Sequence, residues 1–199
     1  MPHIDYYFAT FSPATYIAGN RLEEIAAKHS ATITYRPLDL IALFSRTGGL
    51  PPGQRHISRQ DYRLQDLPRQ ARRAGLPFNV KPRFFPTNPA PSSFALIAAQ
   101  KAGAGNLGAL AHAFTRAVWA EDRDIAEDDV IRDILKAEGF DPALADADML
   151  ASAEEYGANL EKAVLNGVFG APFYISDGDQ RFWGQDRLED LDLALAGKL

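Results

Sequence analysis

The spacing of apolar and polar positions changes twice along the chain, dividing it into three stretches. Residues 3–9 are rich in aromatic and apolar residues, as a buried strand would be. Ser12-Pro13 then gives a helix-start signal, a capping hydroxyl followed by proline at the first helical position. Ile17, Leu22, Ile25 and Ala26 supply an apolar face and predict one helix running to about Lys28. Over residues 31–36, Ile33 and Tyr35 alternate with Thr32 and Thr34, which predicts a second strand. The stretch 45–53 reads as a Gly/Pro loop, after which the period becomes helical. Helices are predicted at about 58–74, 91–102, 107–121, 127–138 and 146–166, and Gly75, Gly103, Gly105 and Gly139 stand where helices should stop. The chain returns to strands at 173–176 and 181–183, joined by the turn Asp177-Gly178-Asp179. A closing amphipathic helix carries Leu188, Leu191, Leu193 and Leu195.

The predicted order is β-α-β, a block of helices, then α-β-β-α. With the block removed, the order is that of a thioredoxin fold. The expected class is therefore α/β, a thioredoxin-like fold interrupted by an all-helical insertion. Residues 1–42 and 166–199 would form the discontinuous thioredoxin-like domain and 43–165 the insertion, with its last helix placed to pack on the first domain.

Composition narrows the chemistry. There is no cysteine, so disulfides, thiolate metal sites, iron–sulfur clusters and protein dithiol redox pairs are excluded. A net charge of -5 argues against a general nucleic-acid binder. No apolar run is long enough to span a membrane, and the first residues lack the pattern of a signal peptide. A cytoplasmic protein is expected. No metal-ligand motif is present.

Charge is unevenly distributed. Between residues 45 and 85 lie Arg46, Arg55, Arg59, Arg63, Arg69, Arg72, Arg73, Lys81 and Arg83, opposed by Asp61 and Asp66 alone. Residues 119–161 are acidic, led by Glu121, Asp122, Asp124, Glu127, Asp128 and Asp129. Two readings follow: solvated faces that attract each other, or a basic segment bordering a site for small anions.

Three positions could carry chemistry. Ser12 follows a buried strand and opens a helix, so it is a plain cap or a group poised to stabilise an anion or thiolate. No motif supplies a base for a nucleophilic serine, although His29 and His56 could approach through the fold. Pro172 stands immediately before a strand, and a cis bond there would leave the backbone of Ala171 free to pair with an extended ligand. Gln185-Asp186 marks another strand-to-helix junction. There, backbone donors and the Asp186 carboxylate could hold the two charged groups of an amino acid, or Asp186 could simply complement the helix dipole.

Taken together these segments resemble a known family. Asp5-Tyr6-Tyr7-Phe8-Ala9-Thr10-Phe11-Ser12-Pro13 is similar to the opening of the 2-hydroxychromene-2-carboxylate isomerases and the related kappa-class glutathione transferases. Gly167-Val168-Phe169-Gly170-Ala171-Pro172 and Trp183-Gly184-Gln185-Asp186-Arg187-Leu188 resemble their closing motifs. Asp61-Tyr62, Gln65-Asp66-Leu67, Arg69 and Ala117-Val118-Trp119 extend the likeness through the middle.

The resemblance implies glutathione bound between a thioredoxin-like domain and a helical one. Ser12 would stabilise the glutathione thiolate without being acylated, next to Pro13 and Ala14. Ala171, before Pro172, would pair with the cysteinyl backbone, and Gln185 and Asp186 would hold the γ-glutamyl end. The implied activity interconverts 2-hydroxychromene-2-carboxylate and trans-o-hydroxybenzylidenepyruvate in aromatic catabolism, by reversible thiolate addition and bond rotation. Its partner is a small aromatic carboxylate, for which Tyr62, Arg63, Arg69, Arg73 and Asn88 are the candidate contacts. A homodimer is expected on the resemblance alone. Departures also exist. Gly49 stands where kappa-class members carry an asparagine that contacts glutathione, Ala171 is smaller than the usual valine or leucine, and the loop of residues 84–89 is rich in proline. A kappa-like transferase or peroxidase, or a glutathione-binding protein without catalysis, remains the alternative.

Overall fold

The computed structural model describes residues 1–199 and has at the centre of its sheet the strand β1 (His3–Phe8). It pairs in parallel with β2 (Thr32–Pro37) and antiparallel with β3 (Phe173–Ser176), which pairs antiparallel with β4 (Gln180–Trp183). The sheet order is β2-β1-β3-β4. A strand with neighbours on both sides and covered faces is rich in apolar residues, which is why Ile4, Tyr6, Tyr7, Phe8 and Ala9 crowd residues 3–9, with His3 and Asp5 partly exposed.

The two faces of β1 have different partners. Tyr6 stacks on Phe8 and Tyr174 at centroid separations of 4.5 and 5.2 Å, and meets Tyr35 edge-on at 5.8 Å. Tyr7 faces the other way, accepting a hydrogen bond from Asn166 at 3.0 Å and lying beneath the Arg36 guanidinium.

Between β1 and β2 the predicted single helix is two. α1 (Pro13–Ala18) ends at Gly19, whose φ of 60° and ψ of -145° no helix accommodates, and α2 (Arg21–His29) starts afresh. The apolar spacing already carries the break: Ile17 and Leu22 are five apart, one residue too far for one helical face. The turn at Gly19 brings both apolar faces back onto the sheet.

The expected loop at 45–53 also needs correction at its start. α3 (Leu40–Thr47) runs into it, capped by Asp39, whose Oδ1 accepts from the Ile41 and Ala42 N–H groups at 2.9 and 3.0 Å. Next come α4 (Ile57–Arg73), α5 (Ala90–Ala102), α6 (Leu107–Trp119), α7 (Asp128–Ala137) and α8 (Met149–Leu165), and α9 (Leu188–Leu195) closes the chain.

One continuous cluster of buried side chains joins Ile4, Tyr7 and Phe8 of the sheet to Leu96, Phe114 and Trp119 of the helical block. α5 covers the outer edge of β2 in an unusual way. The Gln100 amide accepts from the Tyr35 N–H at 2.9 Å and donates to the Tyr35 carbonyl at 3.1 Å, as a neighbouring strand would. α8 docks on the same strand, with Asn159 donating to the Pro37 carbonyl at 3.2 Å.

Glu23 of α2 is wedged against α6 where Gly108 leaves it space; a Cβ at 108 would lie 2.6 Å from its carboxyl carbon. Tyr35 Oη donates to Glu23 Oε1 at 2.8 Å, while Oε2 is buried without a partner. Burial raises the Glu23 pKa above its ordinary 4.5, outweighing the Tyr35 hydrogen bond that lowers it. A raised folded pKa means that stability is lost as pH climbs from the unfolded value through the folded one. Glu23→Gln should abolish this loss. Urea midpoints of parent and variant should diverge in favour of the variant as pH rises above 4.5, whereas a constant difference would show that Glu23 titrates as in the unfolded chain.

Candidate active site

Ser12 sits where β1 hands the chain to α1, with φ and ψ of -77° and 126°. Its Oγ accepts from the Thr15 N–H at 3.3 Å, and the residue is 3% exposed. The turn that presents it is fixed from two sides. Trp119 Nε1 donates to the Phe11 carbonyl at 3.0 Å, and Thr10 Oγ1 lies 2.9 Å from Ser92 Oγ and donates to the Pro89 carbonyl at 3.3 Å. Pro13 and Ala14 form the first turn of α1 and are half-buried. Because α1 spans six residues rather than continuing to residue 28, its two ends partly cancel, so the Ser12 hydroxyl must carry more of any anion stabilisation than the helix end.

Neither histidine weighed as a base for Ser12 is committed to it. His29 Nε2 lies 2.6 Å from an Asp192 oxygen, pinning α2 to α9, and His56 caps α4 through the Ser58 N–H at 3.3 Å.

The Ala171–Pro172 bond is cis. The Pro172 carbonyl accepts from the Gly184 N–H at 2.9 Å, while Ala171 contributes neither donor nor acceptor to the loop hydrogen bonds. This joins the second motif to the third. Gly184 has φ of 111°, and a Cβ there would lie 2.6 Å from Asp186 Oδ1. Glycine thus sets both the backbone turn and the position of Asp186.

Gln185 and Asp186 line a cavity of about 680 Å³, with Gly19 and Arg21 on one wall, Gln70 and Arg73 of α4 on another and His112 behind. Gln185 Nε2 donates to Gln70 Oε1, and Arg21 donates to the Gln185 carbonyl at 2.8 Å. Cations (Arg21, Arg73) and carboxylates (Glu24, Asp66, Asp186) share the lining, as a zwitterionic guest requires. Burial, with help from the Arg116 charge, lowers the His112 pKa and so favours its neutral ring. Ser12, Ala171 and Pro172 are not among the residues lining this cavity.

The five residues considered for a substrate carboxylate are not equivalent. Arg73 lines the cavity just described. Tyr62 is 59% exposed and donates to Asp66 at 3.2 Å. Arg69 points outward to Gln65 at 3.1 Å. Asn88 accepts from the Ala90 N–H at 3.1 Å, steadying the start of α5. Arg63 is half-buried, with its guanidinium 5.8 Å from the ring centroids of both Phe85 and Trp119. Of the nine basic residues between 46 and 83, only Arg46 forms an ion pair, with Glu161. The mutual attraction considered for the basic and acidic stretches therefore rests on one pair.

Gly49 packs under Phe44, and a Cβ would lie 2.5 Å from that ring, so an asparagine would displace a buried phenylalanine. The proline-rich loop is tied down by Thr87 donating to Asp124 and by Phe85 stacking 6.0 Å from Phe11. Sequence reasoning overlooked Thr15, a buried residue one turn after Ser12 whose hydroxyl has no partner. The Ser-x-x-Thr spacing was its only signal. Gln70 and Arg21 were also overlooked, and no motif announces them.

A family model described as a DSBA-like thioredoxin domain matches residues 3–196. The chain is 30% identical to a 2-hydroxychromene-2-carboxylate isomerase of Sphingobium xenophagum over 197 residues, covering 95% of each protein. It is 29% identical to one of Pseudomonas putida, over 96% of this chain and 93% of that one. A solved 2-hydroxychromene-2-carboxylate isomerase superposes with a TM-score of 0.77 at 25% identity, covering 98% of this chain and 95% of that one. The chain belongs to the DSBA-like thioredoxin-domain family and, within it, to the 2-hydroxychromene-2-carboxylate isomerase family.

The anchoring of the Ser12 turn can be measured. Trp119→Phe keeps an aromatic ring but leaves the buried Phe11 carbonyl without its donor, at a cost of about 1–3 kcal/mol in unfolding free energy. Urea denaturation with an unchanged midpoint would show that the turn does not depend on this bond.

Proposed function

We propose that this chain is a glutathione-dependent isomerase that interconverts 2-hydroxychromene-2-carboxylate and trans-o-hydroxybenzylidenepyruvate in the cytoplasm, as part of aromatic catabolism. The observation that carries the reading is Ser12, held by the Phe11 and Thr10 anchors with a hydroxyl that only the Thr15 N–H engages. Family membership supports the isomerase half of the reading. Support for glutathione is local. The cavity beside Gln185 and Asp186 has the mixed charge that a γ-glutamyl group's ammonium and carboxylate need, and the Ala171 peptide group is free to pair with an extended backbone.

Bound glutathione would supply a thiolate that adds to the conjugated substrate, lets a former double bond rotate, and leaves unchanged. The chain's own task is to bind and orient. Asp186 accepts from the ammonium group, while Arg21 and Arg73 lend positive charge to the neighbouring carboxylate. Ala171 fixes the cysteinyl backbone. Ser12 Oγ donates to the sulfur while still accepting from Thr15, so one hydroxyl fills both roles.

Such a bond to a charged acceptor is worth about 1.5–3 kcal/mol, enough to lower a thiol pKa by about one or two units. A free thiol titrates near about 8.5, so this shift makes the thiolate abundant at neutral pH. No side chain has to act as a base towards Ser12, which agrees with the engagement of His29 and His56 elsewhere.

Two outcomes follow. The ultraviolet spectrum of the chromene acid should change with enzyme and glutathione together and not with enzyme alone. Equal rates without glutathione would remove the cofactor from the account, and conjugation of an electrophile without isomerisation would point to a transferase. Ser12→Ala should turn over at least about tenfold more slowly, the equivalent of about 1.4 kcal/mol of lost stabilisation. An undiminished rate would remove Ser12 from its role.

A further inference from the structure

The basic stretch between residues 46 and 83 leaves eight positive charges without an ion pair, and most stand in water, where an unpaired cation costs little. Arg63 differs. Its guanidinium lies over Phe85 and Trp119, in surroundings that remove part of its hydration. No side chain or backbone group in the chain accepts a hydrogen bond from it, and no carboxylate lies within 4 Å. The acid one turn further along α4, Asp66, accepts instead from Tyr62 and from Gln70 at 2.6 Å. Burial and the nearby Arg55 charge both disfavour the ionised form of Arg63, although a guanidinium remains protonated in any protein environment. A partly desolvated cation with a cationic neighbour and five idle donors is a group whose partner comes from outside the chain.

The position of Arg63 identifies what that partner is for. Phe85, one of the two rings beneath it, stacks against Phe11, the residue before Ser12. Trp119, the other ring, holds the Phe11 carbonyl. Arg63 therefore stands on the aromatic wall that begins next to Ser12, whereas Arg73 belongs to the cavity around Gln185 and Asp186. Trp119 and Phe11 are buried, so an acid carrying an aromatic ring would lie against the partly exposed Phe85, with its carboxylate at Arg63 and its conjugated carbons towards Ser12.

We propose that Arg63 is the residue that binds the carboxylate of the aromatic substrate, with Phe85 and Trp119 holding its guanidinium in place. This assignment rests on the proposed reading of the Ser12 site, and it singles out one of the arginines that the sequence left equivalent. Arg69, on the outer face of α4 and engaged by Gln65, takes no part in substrate binding.

The test separates this assignment from the isomerase reading because it needs neither glutathione nor turnover. trans-Cinnamate and its neutral amide would be titrated into the parent, Arg63→Gln and Arg69→Gln, with binding followed by the fluorescence of the two tryptophans. The parent should bind cinnamate at least about tenfold more tightly than the amide, the difference expected for a bidentate charged pair. Arg63→Gln should bring cinnamate down to the level of the amide and leave amide affinity unchanged, while Arg69→Gln should behave as the parent. The far-ultraviolet circular dichroism of each variant shows whether it is folded. Equal preference for acid and amide in the parent would overturn the proposal, as would undiminished cinnamate binding by folded Arg63→Gln. If Arg63→Gln does not fold, Arg63→Lys provides the same comparison: it should keep part of the preference for the acid, and a full preference would show that the planar fork is not used. A parent that isomerises the chromene acid yet shows no preference for cinnamate would leave the isomerase reading standing and remove Arg63 from it.

Discussion

One hydrogen bond, from Trp119 Nε1 to the Phe11 carbonyl, fixes how the two halves of the molecule meet. The carbonyl lies in the turn between β1 and α1, among buried residues, and would be without a partner if the indole were absent. The indole is itself 1% exposed and packs against Phe78 and Phe85, so it has no freedom to follow a wandering turn. Thr10 repeats the constraint one residue earlier through Ser92 and Pro89. Sheet and helical block consequently act as a single support for Ser12.

From this constraint the division of labour follows. The turns around Gly19 and Gly184 bring two loops beside α4, where Gln70, Arg73, Gln185 and Asp186 define a polar cavity of mixed charge. Two turns nearer the start of α4 than Gln70, Arg63 rests on Phe85 and Trp119. A single helix thus presents one arginine to each of two unlike surroundings. The chain has no cysteine to place in the position that a thioredoxin-like site ordinarily gives one. A bound thiol beside Ser12 supplies the sulfur in the proposed account.

Much of this was legible in the sequence for identifiable reasons. β1 declared itself through its density of aromatic and apolar residues, because both its faces are covered. The hairpin declared itself through Gly178 and Asp179, whose φ values of 76° and 59° few other residues accept. α3 was hidden because its polar cap and short apolar face stand next to a stretch rich in glycine and proline. The break at Gly19 showed only as a slipped spacing between Ile17 and Leu22, a signal weaker than the capping pair before it. In the site, residues belonging to motifs were visible and those recruited from afar were not. Gln70 reaches Gln185 across 115 positions, and nothing local to either residue marks the contact. The arginines looked alike in sequence because burial, which sets Arg63 apart, is a property of the folded chain.

The most direct test is an ultraviolet titration of the thiol of glutathione bound to the parent enzyme. The account predicts an apparent pKa at least about one unit below that of the free thiol, since Ser12 Oγ favours the charged form. A bound thiol that titrates as it does in free solution would contradict the central role given to Ser12.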